Sequence, residues 1–357
     1  MKTKPSHALA HLRQICCSGL SREIAITEFL RSVPMLISSN SNTFSISDSS
    51  LQPIYHLSGF DLSDMAEVAP DIIADYHTPE RQKRAIAWFS RHPIISDPRV
   101  MDESFYLTDM YNLIYRQFDM HHLLWVPIKL DAEKTGILGL YRQLSQKPFD
   151  NNDKAQLMQL LRYVVHAYRA VSDVCIEFSQ SGLSGMMILN AEGTILYQCP
   201  EAKRLLEQVR YPRLLTDLRK QDRLMLKLAE LCNNLRRIYR GQDAPPPSLL
   251  HTNLNGQFLF RAYWLDGSNC EAEGLIGVTI EHHQPLTQRI LRAMRDLPLS
   301  PTQREVAFLL AQGLPFEQIG LRLHIKQTTV KDHVNKIYTK LDIHQRGELL
   351  PKLLAVT

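Results

Sequence analysis

The sequence is short of nearly every feature that marks a secreted, membrane-spanning or metal-dependent protein. Its 357 residues hold six cysteines: Cys16-Cys17 side by side, and Cys175, Cys199, Cys232 and Cys270 scattered. That spacing gives no disulfide framework and fits a reducing, cytoplasmic setting with inert thiols. No uninterrupted apolar run approaches the roughly 18 residues a membrane-spanning helix needs. Lys2 and Lys4 are followed by no apolar block, so no signal peptide is expected. There is no GxxxxGK phosphate loop, no GxSxG elbow and no HExxH. No paired acidic residues close the first strand, which excludes a phosphoacceptor receiver. His121-His122 and His282-His283 lack a Cys or His partner at ligand spacing, so sheet positions are expected for both pairs. The chain is therefore read as a non-enzyme with no metal, cofactor or membrane association.

What is present is a soluble, globular composition, 44% hydrophobic and 22% charged, with enough length for two or three domains. The net charge of +4 is unevenly spread: residues 285–357 carry 11 Lys+Arg against 6 Asp+Glu, and the rest is close to balance. A polyanion, if one binds, is expected there.

Hydropathy patterning divides the chain into four parts. Residues 1–178 alternate helical and strand patterns. Ala8–Cys16, Ser21–Arg31, Asp61–Tyr76, Pro79–Ser90 and Glu103–Phe118 read as helices, and Leu123–Leu130 with Gly136–Leu140 as a hairpin. A long helix follows Pro148, with Leu157, Leu160, Leu161, Val164, Val165 and Val171 on one stripe. In residues 179–284, Met186–Leu189 and Thr194–Gln198 flank a turn in which Gly193 supplies positive φ. Two helices over Glu201–Val209 and Asp217–Arg240 come next, and then Ser248–Leu254 and Gln257–Leu265 meet at Asn255-Gly256. Residues 285–296 read as a connecting helix and 297–357 as wholly helical. The expected fold is multidomain: two α+β sensor-like modules, then an all-α four-helix domain.

The C-terminal pattern carries the most information. Thr302–Gln312 forms a helix stopped by Gly313, Phe316–Leu323 a short second helix, His324-Ile325-Lys326 a tight turn, and Gln327–Leu341 a third helix. Val330, Val334, Ile337 and Leu341 share one arc; Thr328, Asp332, Asn335 and Thr339 lie opposite, flanked by Lys331 and Lys336. A short helix clamping a longer one with a polar, basic outer face is a helix-turn-helix, shaped to lay one helix in a major groove. Gly320, beside Ile319, allows the two helices to approach closely.

These residues also carry a family resemblance. Leu299-Ser-Pro-Thr-Gln-Arg-Glu-Val306, Ala311-Gln-Gly313, Gln318-Ile319, Leu323, Thr329-Val-Lys-Asp-His333, Ile337, Lys340-Leu341 and Arg346 resemble the LuxR-type (FixJ/GerE) helix-turn-helix. The sequence departs from the family at Gln303, Gln318, Gly320 and Lys326, the last replacing a Ser that would cap the third helix. The resemblance implies that Lys331, Asp332 and Asn335 face base edges, and that Thr328, Thr329, Lys336, Lys340 and Arg346 meet phosphates. Asp332 either accepts from a cytosine amino group or pairs with Lys336 along the helix. His333 reads as a packing or phosphate residue. Leu349, Leu350 and Leu353 on a last helix either pair two copies or pack within the domain.

Val126-Pro127-Ile128, Gly136-Ile-Leu-Gly-Leu-Tyr-Arg142 and Pro148-Phe149 resemble a GAF-like sensor. Met187-Ile-Leu-Asn-Ala-Glu-Gly-Thr-Ile195 with Glu201-Ala202 looks like a PAS module. Such modules hold small ligands or serve as bare dimerisation scaffolds, and the ligand-binding residues cannot be named from the sequence. Phe308 and Leu321 fall opposite the apolar stripes of their own helices, as a docking patch or as isolated surface residues. Together these resemblances imply a transcription regulator: a homodimer on double-stranded DNA, gated by a small molecule or partner. The alternative is an interaction protein with a degenerate reading helix and no ligand.

Overall fold

The computed structural model describes residues 5–48, 53–59, 72, 75–89, 91–100, 102–131, 133–169, 177–179, 182–210, 223–253, 255–265 and 275–355. The first module runs α1 (Pro5–Cys16), α2 (Arg22–Ser32), β1 (Thr43–Asp48), β2 (Pro53–Ser58), α3 (Pro79–Phe89), β3 (His122–Lys129), β4 (Lys134–Arg142) and α4 (Asn151–Arg169). Its antiparallel sheet has the order β2-β1-β4-β3. Register sets the faces: Phe44 lies opposite Leu138, which lies opposite Val126, and Ile46 and Ile128 flank Gly136. These residues form one apolar face, which shares its core with Leu12, Ile15, Phe29 and Leu30 of α1 and α2 and with Leu157, Leu160 and Val164 of α4. Leu161 and Val165 are partly buried, and Val171 lies outside the described residues. The Arg142 guanidinium ties the end of β4 to the start of α4, through Asp153 at 3.0 Å and over the Phe149 ring at 4.0 Å.

The sheet's other face carries an aromatic cluster of Phe105, Tyr111, Tyr141 and Leu123, joined by Tyr76, Tyr106, Tyr115, Phe118 and Trp125. Gly139 makes room here: a Cβ on it would sit 2.7 Å from the Tyr141 hydroxyl oxygen, which accepts from Trp125 Nε1 at 3.0 Å. The helix expected over Glu103–Phe118 is not formed. The segment instead makes short 3-10 turns at Phe105–Leu107 and Tyr115–Phe118 around a π-turn at Met110–Ile114, and closes on Asp119 at φ 57°. Tyr111, Tyr115 and Phe118 keep three-four spacing, but Phe105 and Tyr106 fall off that stripe. Broken turns bring them to one cluster where a regular helix would spread them around its axis. Most of the helix expected over Asp61–Tyr76 lies outside the described residues.

The second module contains β5 (Leu183–Leu189), β6 (Ile195–Gln198), α5 (Pro200–Arg210), α6 (Arg223–Tyr239), β7 (Ser248–Asn253), β8 (Gly256–Leu265) and β9 (Leu275–His283). The strands form an antiparallel sheet, β6-β5-β9-β8-β7. Gly193 takes φ 83° in the first hairpin, as its turn requires. Phe258, Phe260 and Ala262 face inward with Val278 and Ile280 onto the apolar sides of α5 and α6, a core separate from the first. The sheet's other face leaves Met186, Tyr197, Leu250 and Tyr263 exposed. His282 is buried, stacked on Phe258 and bonded to the Asn255 carbonyl; His283 bonds the Ser179 carbonyl.

The chain enters and leaves this module at one place. Phe178 bridges Pro285, Ser179 N donates to Gln284 O at 2.9 Å, and Leu286 N donates to Glu177 O at 2.8 Å. The second module is thus an excursion, and the residues after it resume beside the first module. There α7 (Leu286–Arg295) buries Ile290, Leu291, Ala293 and Met294. The connecting helix expected at 285–296 is part of the core. The helices α8 (Pro301–Ala311), α9 (Phe316–Leu323), α10 (Gln327–Leu341) and α11 (Arg346–Leu354) follow, and their apolar residues are continuous with the first module's core.

Polar contacts fix this junction. Glu28 of α2 is 3% exposed; it accepts from Arg292 Nε at 3.0 Å, Gln288 Nε2 at 2.7 Å and Arg31 Nη1 at 2.8 Å. Arg13 of α1 pairs with Glu305 of α8 at 2.6 Å, and Gln14 Nε2 donates to Arg304 O at 3.3 Å. Phe308 sits on the same side of α8 as Glu305 and Arg304 and is 4% exposed, which fits a docking patch and not an isolated surface residue. Leu321 is 71% exposed and is not part of this contact.

The junction is acid-sensitive. Burial alone would raise the Glu28 carboxyl, but the hydrogen bonds and charges of Arg292 and Arg31 prevail and hold it below its ordinary value. Its stabilisation is complete above the ordinary carboxylate pKa and is lost as pH falls through the lower value in the fold. Burial, then Arg304 and Arg295, pushes His11 down to about 4. The fold keeps it neutral where the unfolded chain would protonate it. Stability is then whole above pH about 6.5 and declines toward pH about 4, by roughly 3 kcal/mol once both states are protonated. Denaturant unfolding across this range should show the decline, and His11→Gln should flatten it. Glu28→Ala, which leaves Arg292 unpaired beside the core, should cost about 3–5 kcal/mol at neutral pH in the same measurement.

Candidate nucleic-acid interface

The C-terminal helices are positioned by local chemistry. Ser300 caps α8 in a reciprocal box: Gln303 N donates to Ser300 Oγ at 3.4 Å and Ser300 N to Gln303 Oε1 at 3.0 Å. Gln303, which departs from the family pattern, therefore does the work of the acidic residue it replaces. The Ser-x-x-Gln spacing signals this cap in the sequence, though it was not part of the expectations above. Gly313, at φ 89°, ends the helix.

The tight turn forms where expected. His324 takes φ 55° at the end of α9, and Ile325 N donates back to Gly320 O at 3.0 Å. A Cβ on Gly320 would sit 2.8 Å from the Ile325 carbonyl oxygen, so the small residue matters for the turn's close return. Helix α10 then buries Val330, Val334, Ile337 and Leu341.

Its opposite edge is open. Thr328, Lys331, Asp332, Asn335 and Lys336 are exposed and Thr329 is half-buried. Among the described residues the side chains of these six make no hydrogen bond or ion pair within the chain. The Asp332–Lys336 pairing is thus not formed, and Asp332 presents a free carboxylate between Lys331 and Lys336. His333 is half-buried, with Nδ1 lacking a partner. The described residues contain no group of three or more His, Cys, Asp or Glu able to hold a metal ion.

The other residues singled out from the sequence are committed elsewhere. Lys340 Nζ donates to Pro298 O at 3.0 Å and to Gln303 Oε1 at 2.9 Å, tying α10 to the start of α8. Arg346 Nη2 donates to Leu310 O at 3.2 Å and Leu314 O at 3.0 Å, adding a side-chain tie to the turn that follows α8. Both side chains serve the domain's own architecture. Leu349 and Leu353 are 1% and 0% exposed in the chain's own core, where α11 packs on α7 and α8; Leu350 is half-buried. Of the three leucines read as a pairing surface, two are therefore occupied within the chain.

The lost cap is visible as well. Lys326 has the extended backbone of an N-cap residue, φ −67° and ψ 148°, but no side-chain cap bond. Neither Gln327 nor Thr328 supplies one. Lys326→Ser restores an acceptor for the open N–H groups of the first turn, and should stabilise the domain by about 1 kcal/mol in thermal or denaturant unfolding.

Comparison with known proteins agrees with this geometry. Residues 297–351 match the family GerE, bacterial regulatory proteins of the luxR family. The probable HTH-type transcriptional regulator GfsR of Streptomyces halstedii is 34% identical over 59 residues, 16% of this chain and 24% of its own length. The nitrate/nitrite response regulator protein NarL of Escherichia coli K12 is 42% identical over 50 residues, 14% of this chain and 23% of its own. The chain thus spans about a quarter of the length of these curated relatives. Two solved structures are similar at low level. One is SdiA in complex with octanoyl-rac-glycerol (TM-score 0.28, 8% identity, covering 98% of this chain and 94% of that one). The other is the phage VqmA–DPO complex (TM-score 0.19, 21% identity, 48% and 83%). Residues 297–351, the stretch that matches the luxR-family model, contain the helix-turn-helix described above.

Proposed function

We propose that the chain is a transcription regulator that reads double-stranded DNA with α10. One observation carries the reading: the edge of α10 that the resemblance assigns to DNA is exposed and uncommitted, while the opposite edge is wholly buried. A helix held this way can enter a major groove without rearranging its own domain. Lys331, Asp332 and Asn335 are the base readers in this proposal, with Asp332 accepting from a cytosine amino group. Thr328, Thr329 and Lys336 meet phosphates. Lys340 and Arg346 would keep their internal bonds and act on DNA through the domain's charge.

The first two modules, read as GAF-like and PAS-like, are proposed to sense a small molecule or partner and to shift the placement of two reading helices. The functional unit in this reading is a homodimer on a roughly palindromic operator. Leu350 is the leucine of α11 available for pairing without dismantling the core. Gating needs a two-state element. The junction of α1, α2 and α7 with α8 supports one, because it physically links the first module to the reading domain.

The test is binding to duplexes selected from a random pool, followed by fluorescence anisotropy. Affinity should fall steeply as salt rises. Lys331→Ala and Asn335→Ala should each lose about 1–3 kcal/mol of discrimination at one base pair. Lys336→Ala should weaken all sequences alike and reduce the salt slope by about 1. A folded chain with no affinity for any duplex at low salt would instead favour the interaction-protein reading, in which the free Asp332 carboxylate marks a degenerate face.

A further inference from the structure

A small cavity of about 120 Å³ lies at the junction, lined by His11, Ile15, Glu28, Arg31, Ser32, Leu291, Arg292 and Arg295. The lining belongs to α1, α2 and α7, so the cavity sits where the first module grips the helix that leads to the DNA-binding-type domain. It is too small for a drug-sized ligand, whose sites run to about 300–1,000 Å³. Its polar character is lopsided. Three guanidinium groups face one carboxylate, and that carboxylate, Glu28, is already bonded by Arg292, Arg31 and Gln288.

Positive charge is therefore left over, and so are donors. His11 is 2% exposed, and its Nδ1 has no hydrogen-bond partner. Arg304, whose charge acts on His11, has Nε and Nη1 buried without partners, although its Nη2 donates to Arg295 O and Leu297 O. Arg295 pairs only with its exposed neighbour Asp296, at 3.2 Å. Buried polar nitrogens without partners are costly, and His11 lines a cavity whose charged groups are three arginines and one glutamate. An oxyanion supplies the missing acceptors and the missing negative charge together.

We propose that this cavity is a small-oxyanion site, which takes an inorganic phosphate, a sulfate or the carboxylate of a small metabolite between the first module and α7. The anion would bridge Arg31 of α2 and Arg295 of α7, accept from His11 Nδ1–H, and tighten the junction. Burial together with Arg304 and Arg295 keeps His11 uncharged in the empty cavity, and a bound anion would raise its affinity for a proton. The proposal concerns the junction alone and stands whether or not α10 binds DNA.

Calorimetric titration of the full chain with phosphate, sulfate and acetate, each against chloride at equal ionic strength, tests it. The expected result is saturable one-site binding of at least one oxyanion, with affinity reduced at least about tenfold in Arg295→Gln or Arg31→Gln. Arg295 is an exposed side chain, so its variant is expected to fold, which circular dichroism checks. The imidazole signal of His11, assigned by its loss in His11→Gln, should move on titration in the wild type. Absence of saturable binding by all three anions overturns the proposal, as does wild-type affinity in both arginine variants. Duplex affinity measured in parallel separates failure here from failure of the DNA-binding reading.

Discussion

The buried carboxylate of Glu28 is the constraint around which the chain's long-range order is arranged. A charge removed from water is tolerable only when its partners come with it, and those partners sit some 260 residues away on α7. Meeting that demand brings the connecting helix onto the first module, and the apolar side of α7 then becomes core. The four C-terminal helices are carried along, because α7 packs on α8 and α11. What reads as a linker between independent domains is therefore the centre of one continuous core.

Such an arrangement suits the regulatory role proposed above better than three beads on a string. Apolar contacts across the junction supply adhesion without direction, whereas the Glu28–Arg292 and Arg13–Glu305 pairs fix orientation. The reading helix is held at a defined place relative to the first module while its polar edge stays open. A change inside the first module can then reach α10 by repacking α7 or the α1–α8 contact, which is a discrete event in a close-packed interior.

The C-terminal domain was almost wholly legible in the sequence because its signals are local. Val330, Val334, Ile337 and Leu341 mark the buried stripe, Gly313 the end of one helix, and Lys326 the missing cap. The hairpins at Gly193 and Asn255-Gly256 were legible for the same reason. The turns between Glu103 and Phe118 were not, because Tyr111, Tyr115 and Phe118 keep a helical repeat while the aromatic partners of the segment, Trp125, Tyr141 and His121, lie on other parts of the chain. Phe308, Leu349 and Leu353 were placed by helical period on faces that look outward from an isolated domain. Packing of α11 on α7 and α8 covers the two leucines, and Phe308 lies on the side of α8 that meets α1. Lys340 and Arg346 carry a related lesson: a basic side chain near a reading helix can be spent on carbonyl groups of its own domain.

Because Phe178 and Pro285 lie side by side, the described residues that enter and leave the middle module form one paired stem. Removal of that module with the two cut ends rejoined would leave the path of the remaining polypeptide almost unaltered, much as a side branch can be pruned without bending the trunk. A twist generated within that branch is delivered straight to the base of α7, because Leu286, the helix's first residue, is itself hydrogen-bonded to the stem at Glu177.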